Sequence, residues 1–174
     1  MIINIKNNGH KYKKVCNEIV SILNDPFWNG PILEIHLPQR AKFERYLQAV
    51  LAFRLKEKYK DTKIEYPLGY KHVDIYANDT YIELKTPNTN YKLQGIEDKT
   101  RPITNNIQGI IDDIDKLRLL KGKEKEGVVA FVLFPIDPDK DDYSQHIEKI
   151  ISALGNNCYC QATVSKMLVF SCRV

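Results

Sequence analysis

The chain lacks the marks of several large protein classes. Its 174 residues contain no run near the ~20 apolar residues that a membrane-spanning helix needs. The opening Met-Ile-Ile-Asn-Ile-Lys-Asn-Asn does not have the layout of a secretory signal, so a cytoplasmic location is the expectation. Cysteine is scarce, with four in all: Cys16, Cys158, Cys160 and Cys172. Cys158-x-Cys160 is not zinc spacing and no histidine pair accompanies it. The four read as small apolar thiols, with Cys158 and Cys160 sharing a strand face and Cys172 nearby. The acidic run at 137–142 lacks the Asp-x-Asp-x-Asp-Gly spacing and distal glutamate of a calcium loop, and reads as a surface loop. No repeat, linker or low-complexity tract divides the chain, so one domain over 1–174 is expected.

What is present is the mixture of an ordinary soluble globular protein, 43% hydrophobic and 28% charged. Lys+Arg exceed Asp+Glu by 26 to 22. A net charge of +4 permits a polyanionic partner without requiring one. The positive charge gathers at 116–125, where a solvated helix end, favoured by the helix dipole, is the simplest account.

Periodicity predicts helices over 10–24, 40–59, 103–121 and 143–154. The two long ones carry apolar stripes through Phe43, Leu47, Val50 and Leu51, and through Ile107, Ile110, Ile111, Ile114, Leu117 and Leu120. Gly122 suits the end of the second. Asp25-Pro26 breaks the first helix and Asn29-Gly30-Pro31 reads as a turn, with a short strand over 32–37. Strands are predicted at 63–67, 71–77 and 80–86, and a strand buried on both faces at 128–134. A final strand pair covers 158–164 and 166–173. Residues 88–102 form a long polar loop, of a size that tends to be functional or disordered.

The chemistry concentrates between Lys71 and Pro87. Val73, Ile75 and Ala77 alternate with His72, Asp74 and Tyr76; Ile82 and Leu84 alternate with Tyr81, Glu83 and Lys85. Asn78-Asp79 tolerate positive φ and make a tight turn between them. Thr86-Pro87 closes the second strand. A two-residue turn sets Asp74 across from Glu83, with Lys85 on the same face. Two carboxylates about 5 Å apart repel by about 3 kcal/mol at an effective dielectric of about 20. Folding alone gives no reason for that pairing. A divalent cation does, because it converts repulsion into shared coordination by hard oxygen ligands. A lysine in the same space can hold or activate water, or stabilise charge on a phosphate oxygen.

Asp74, a hairpin, then Glu83-Leu84-Lys85 resembles the PD-(D/E)xK nuclease superfamily, although residue 73 is Val where the pattern's name has Pro. The element order helix, three strands, helix, buried strand extends the resemblance over roughly 40–135. The resemblance implies an α/β restriction-endonuclease-like core (α-β-β-β-α-β), a central mixed sheet flanked by helices. It implies Asp74 and Glu83 as metal ligands, Lys85 as the catalytic lysine, and Glu44 on the preceding helix as a third acid. Arg40 and Arg45 offer Glu44 a rival surface ion-pair role. Some members carry a glutamine early in the following helix, matched by Gln108, but the tyrosine that often follows four residues later is Asp112 here. Gln108 on a solvent face is the alternative. Gly109 beside it weakens a helix by about 1 kcal/mol relative to alanine, which close approach to a ligand or strand would explain. Lys92, Lys99 and Arg101 in the long loop suit phosphate contact or plain solvation equally. Tyr76 and Tyr81 are cross-strand neighbours that either cover the sheet or stack near a nucleic acid. His72 shares their face.

The expectation is therefore a Mg²⁺-dependent nuclease, with Mn²⁺ acceptable, acting on DNA rather than RNA and plausible as a homodimer. Two alternatives are a catalytically inactive module binding nucleic acid or protein, and an RNA-cleaving defence or toxin domain. Glycoside hydrolysis is disfavoured, since acids on adjacent strands lie at the bottom of the ~5–9.5 Å separations that chemistry uses and no aromatic-rich sugar platform is evident.

Overall fold

A computed structural model describes residues 10–31, 43–88, 103–120, 125–136, 143–155 and 158–174. The predicted strand at 32–37, the loop cations Lys92, Lys99 and Arg101, Gly122 and the acidic run 137–142 lie outside the described residues. So does Arg40.

Among the described residues, eleven elements follow in order: α1 (Lys11–Asn24), α2 (Pro26–Pro31), α3 (Phe43–Lys58), β1 (Thr62–Leu68), β2 (Lys71–Ala77), β3 (Thr80–Lys85), α4 (Ile103–Leu120), β4 (Glu126–Leu133), α5 (Ser144–Leu154), β5 (Tyr159–Val164) and β6 (Met167–Arg173). The six strands make one mixed sheet in the order β1-β2-β3-β4-β6-β5. Among the described strands, only β3 and β4 pair in parallel. A parallel pair needs a crossover, and α4 supplies it. The chain is thus an α/β protein whose sheet carries helices on both faces.

Strand β4 is apolar throughout because it is covered twice. Val128, Ala130 and Val132 join Ile75, Ala77, Ile82 and Leu84 in a core roofed by α1 and α3. Val129, Phe131 and Leu133 join Tyr76, Tyr81, Leu168 and Phe170 in a second core, floored by α4 and α5. Gly127 lets α4 sit close to the sheet: a Cβ there would stand 3.3 Å from Leu117 Cβ and 3.4 Å from Val174 Cβ. On the other side Glu18 of α1 is buried and paired with Arg54, at 3.4 Å, and with Lys58 of α3.

Three local expectations are corrected. Residues 26–31 form a short helix rather than a turn. Pro26 is tolerated at its first position, and Asp25 Oδ1 accepts the Phe27 N–H at 3.0 Å. Cys158 and Cys160 do pack on the α1/α3 core, but Cys172 points into the opposite one. All four cysteines are free thiols. Val73 departs from the face of Ile75 and Ala77 and joins the α4/α5 core. That departure shapes the site.

Candidate metal and phosphodiester site

The β2–β3 hairpin has the two-residue turn its sequence predicts. Asn78 and Asp79 take φ of 47° and 59°, and Ala77 pairs with Thr80, Tyr76 with Tyr81, Ile75 with Ile82. The ladder stops there. Asp74 Oδ2 accepts the Leu84 N–H at 2.7 Å, so a side chain takes over as acceptor where the backbone ladder ends. On the other flank, β1 pairs Ile64 with Ile75 and Tyr66 with Val73, leaving Glu65 opposite Asp74. Glu65 has φ of 48°. A non-glycine residue in that region costs about 1–3 kcal/mol, and such strain clusters at functional sites. Buried Gln48 of α3 braces the irregularity, donating to the Asp74 carbonyl at 2.8 Å and to Glu65 Oε1 at 3.0 Å. This kink turns Val73 to the other core and separates β2 from β3 at Asp74.

Around the gap stand four carboxylates and two ammoniums. Glu44, in the first turn of α3, accepts the Thr86 N–H at 3.1 Å through Oε2. That bond seats it at the end of β3, not in a surface cluster with Arg45. Glu83 is buried, its Oε1 2.5 Å from Lys116 Nζ. Lys85 Nζ stands 3.2 Å from Asp113 Oδ2. Asp113 and Lys116 both belong to α4 and flank its apolar stripe at Ile110, Ile114 and Leu117. Sequence reasoning missed them, along with Gln48 and Glu65. The available signal was their position, one residue away from that stripe.

The charges do not balance. Four acids against two lysines leave an excess of two negative charges when all are ionised. The carboxyl groups respond as crowded, buried acids should. Burial and then the Asp74 carboxylate push Glu83 up to about 8, against the pull of Lys116. Glu44 is raised by burial, with Asp74 and Asp113 adding to it and Lys85 opposing. Asp113 is also raised by burial, while Lys85 and Lys116 pull it back. Burial pulls Lys85 down, yet Asp113, Glu44 and Asp74 together hold it above its ordinary value.

This donor set suits a hard divalent cation, whose preferred ligands are carboxylate oxygens and whose charge would favour their ionised form. Asp74 and Glu83 are the residues that would hold it, with Glu44 alongside. Among the described residues no three His, Cys, Asp or Glu side chains form a ready-made cage. The two ion pairs draw Glu83 and Lys85 towards α4 instead.

The remaining predicted residues fall elsewhere. Gln108 is exposed and donates to Asp112 Oδ1 at 2.9 Å. Gly109 lies on the α4 face of Asp113 and Lys116 by its spacing, and a Cβ there would meet open space. Tyr76 and Tyr81 are cross-strand neighbours as expected, with ring centroids 5.8 Å apart, but both are buried. Tyr66 stacks on Tyr76 at 4.6 Å, and Lys125 lies over both hairpin rings while donating to Tyr81 Oη at 2.9 Å. His72 is exposed. No described helix is long and apolar enough to cross a membrane.

A scan against protein-family models found no match, and searches of curated proteins and of solved structures returned no significant match.

Proposed function

We propose that this α/β chain is a Mg²⁺-dependent nuclease with a restriction-endonuclease-like core, hydrolysing phosphodiester bonds of DNA in preference to RNA. The single observation that carries the reading is the crowding of four carboxyl groups, Glu44, Asp74, Glu83 and Asp113, against two lysines at the gap between β2 and β3. Asp74 and Glu83 are assigned as ligands of Mg²⁺ or Mn²⁺, with Glu44 as the third acid. A cation held there supplies Lewis acidity: it lowers the pKa of bound water and neutralises charge developing on phosphate. Lys85 is a third exposed, so solvent reaches its side chain. Its ammonium can orient the attacking water or stabilise a phosphate oxygen. Asp113 holds that ammonium in place, and Gln48 fixes the backbone of Asp74. The reading leaves room for a second copy of the chain to complete a duplex-sized cleft.

A second reading draws on the two ion pairs. A domain that binds nucleic acid or protein without cutting it can keep this cluster as closed Lys85–Asp113 and Glu83–Lys116 pairs. One assay separates the two. Supercoiled plasmid, linear duplex and single-stranded RNA are incubated with the protein in Mg²⁺, in Mn²⁺ and in chelator. The nuclease reading expects metal-dependent cutting of the DNA substrates. Cutting of RNA alone reassigns the substrate, and retention of DNA without cutting in either metal favours the binding module.

A further inference from the structure

We infer that Lys116 is a tethered cation that occupies the place of the metal at Glu83 and must leave when the metal arrives. The inference rests on the assignment of Asp74 and Glu83 as metal ligands and adds a regulatory element to that site. Its basis is geometric. Lys116 Nζ lies 2.5 Å from Glu83 Oε1, an ion-pair distance, while that buried oxygen accepts no well-oriented hydrogen bond and so stays open to a better-placed cation. Glu83 offers a side chain only 3% exposed, so Lys116 and a metal ion compete for the little of that carboxylate that is accessible. Lys116 itself is 21% exposed and sits in the last two turns of α4, with a long stem that can swing its head to solvent. The other ammonium is held differently: Lys85 pairs with Asp113, which belongs to the helix and not to the proposed ligand pair. The two lysines therefore have separate roles. Lys85 stays at the site when a metal binds, and Lys116 is displaced.

A buried glutamate left with no cation is costly, because an isolated charge in the interior is poorly solvated. Lys116 meets that need in the metal-free protein. It helps keep the site folded, at the expense of metal affinity. A divalent ion offers twice the charge and takes its place only when Asp74 contributes a second oxygen ligand. No covalent step is involved; one cation exchanges for another on the same carboxylate.

The test follows the lysine directly. Wild-type protein is pulsed with acetic anhydride at mildly alkaline pH, with and without saturating Mg²⁺, and acetylation of Lys116 is quantified by peptide mass spectrometry. Cation binding to the same sample is measured by calorimetry. Acetylation of Lys116 is expected to rise several-fold with Mg²⁺ in the wild type and not in Asp74→Asn, while that of Lys63, on β1 and paired with Asp61, stays constant. Unchanged acetylation of Lys116 in protein that binds Mg²⁺ through Asp74 overturns the inference and leaves the nuclease reading standing. No binding of Mg²⁺ or Mn²⁺ by calorimetry overturns both. Lys116→Met provides a second arm: the rise in Tm produced by Mg²⁺ should exceed that of wild type, and Lys116→Arg should return it to the wild-type value. An equal or smaller rise in Lys116→Met counts against the exchange.

Discussion

Metal-free protein should lose stability as the pH rises through neutrality, and Glu83 should be the main cause. A carboxyl group moved from 4.5 up to about 8 binds a proton more tightly in the folded state than in the unfolded chain. Between those values the folded state holds more protons, so stability falls with rising pH across that window and levels off above it. A shift of that size is worth about 5 kcal/mol at 1.36 kcal/mol per unit. Lys116 can follow the ionised form, so the expected loss between pH 5 and pH 8.5 is about 2–5 kcal/mol. The raised Glu44 and Asp113 act in the same direction at lower pH. His146 is lowered by burial and by Lys149, and opposes them. Comparison with Glu83→Gln removes these common contributions, because glutamine keeps the shape and has no proton to gain. The assay is urea unfolding in chelator across that pH range for both proteins. Wild type should fall relative to Glu83→Gln. Parallel curves, or a wild type that gains stability with pH, would refute the claim that Glu83 is a crowded, buried acid.

Three further outcomes follow from the same geometry. Lys85→Ala should abolish metal-dependent cleavage in the plasmid assay while circular dichroism stays native; the loss of its pair with Asp113 should cost about 1–2 kcal/mol in urea unfolding, because both partners are partly solvated. Asp74→Asn can still accept the Leu84 N–H and relieves repulsion, so calorimetry should find weakened cation binding while Tm in chelator stays equal or rises; a clear fall in Tm would assign Asp74 a structural role. Gln48→Ala removes two hydrogen bonds beneath the kink and should cost about 1–3 kcal/mol, with cleavage falling in step with cation affinity.

Much of the architecture was legible because periodicity carries it. The stripe Ile107-Ile110-Ile114-Leu117 defines α4, and the continuous run from Val128 defines a strand that must be covered twice. The turn at Asn78-Asp79 sets register, and register brings Asp74, Glu83 and Lys85 to one end of the sheet. What the pattern does not carry is the break in it. Strict alternation puts Val73 with Ile75, whereas the kink at Glu65 and Asp74 sends it to the other core. That kink depends on Gln48, twenty-six residues before Asp74, and no local rule links the two. Asp113 and Lys116 were similarly hidden: on a helix flank, charge reads as solvated until the facing strand is known. The turn residues Asn29-Gly30-Pro31 misled because Asp25 and Pro26 together start a helix that Gly30 alone would discourage.

The most direct test of the central claim is an anomalous difference map from a Mn²⁺-soaked crystal. The account predicts a peak coordinated by Asp74 and Glu83, beside Glu44, with the Lys116 ammonium withdrawn. A map with no peak there, and with Glu83 still paired to Lys116 at high Mn²⁺, would contradict it.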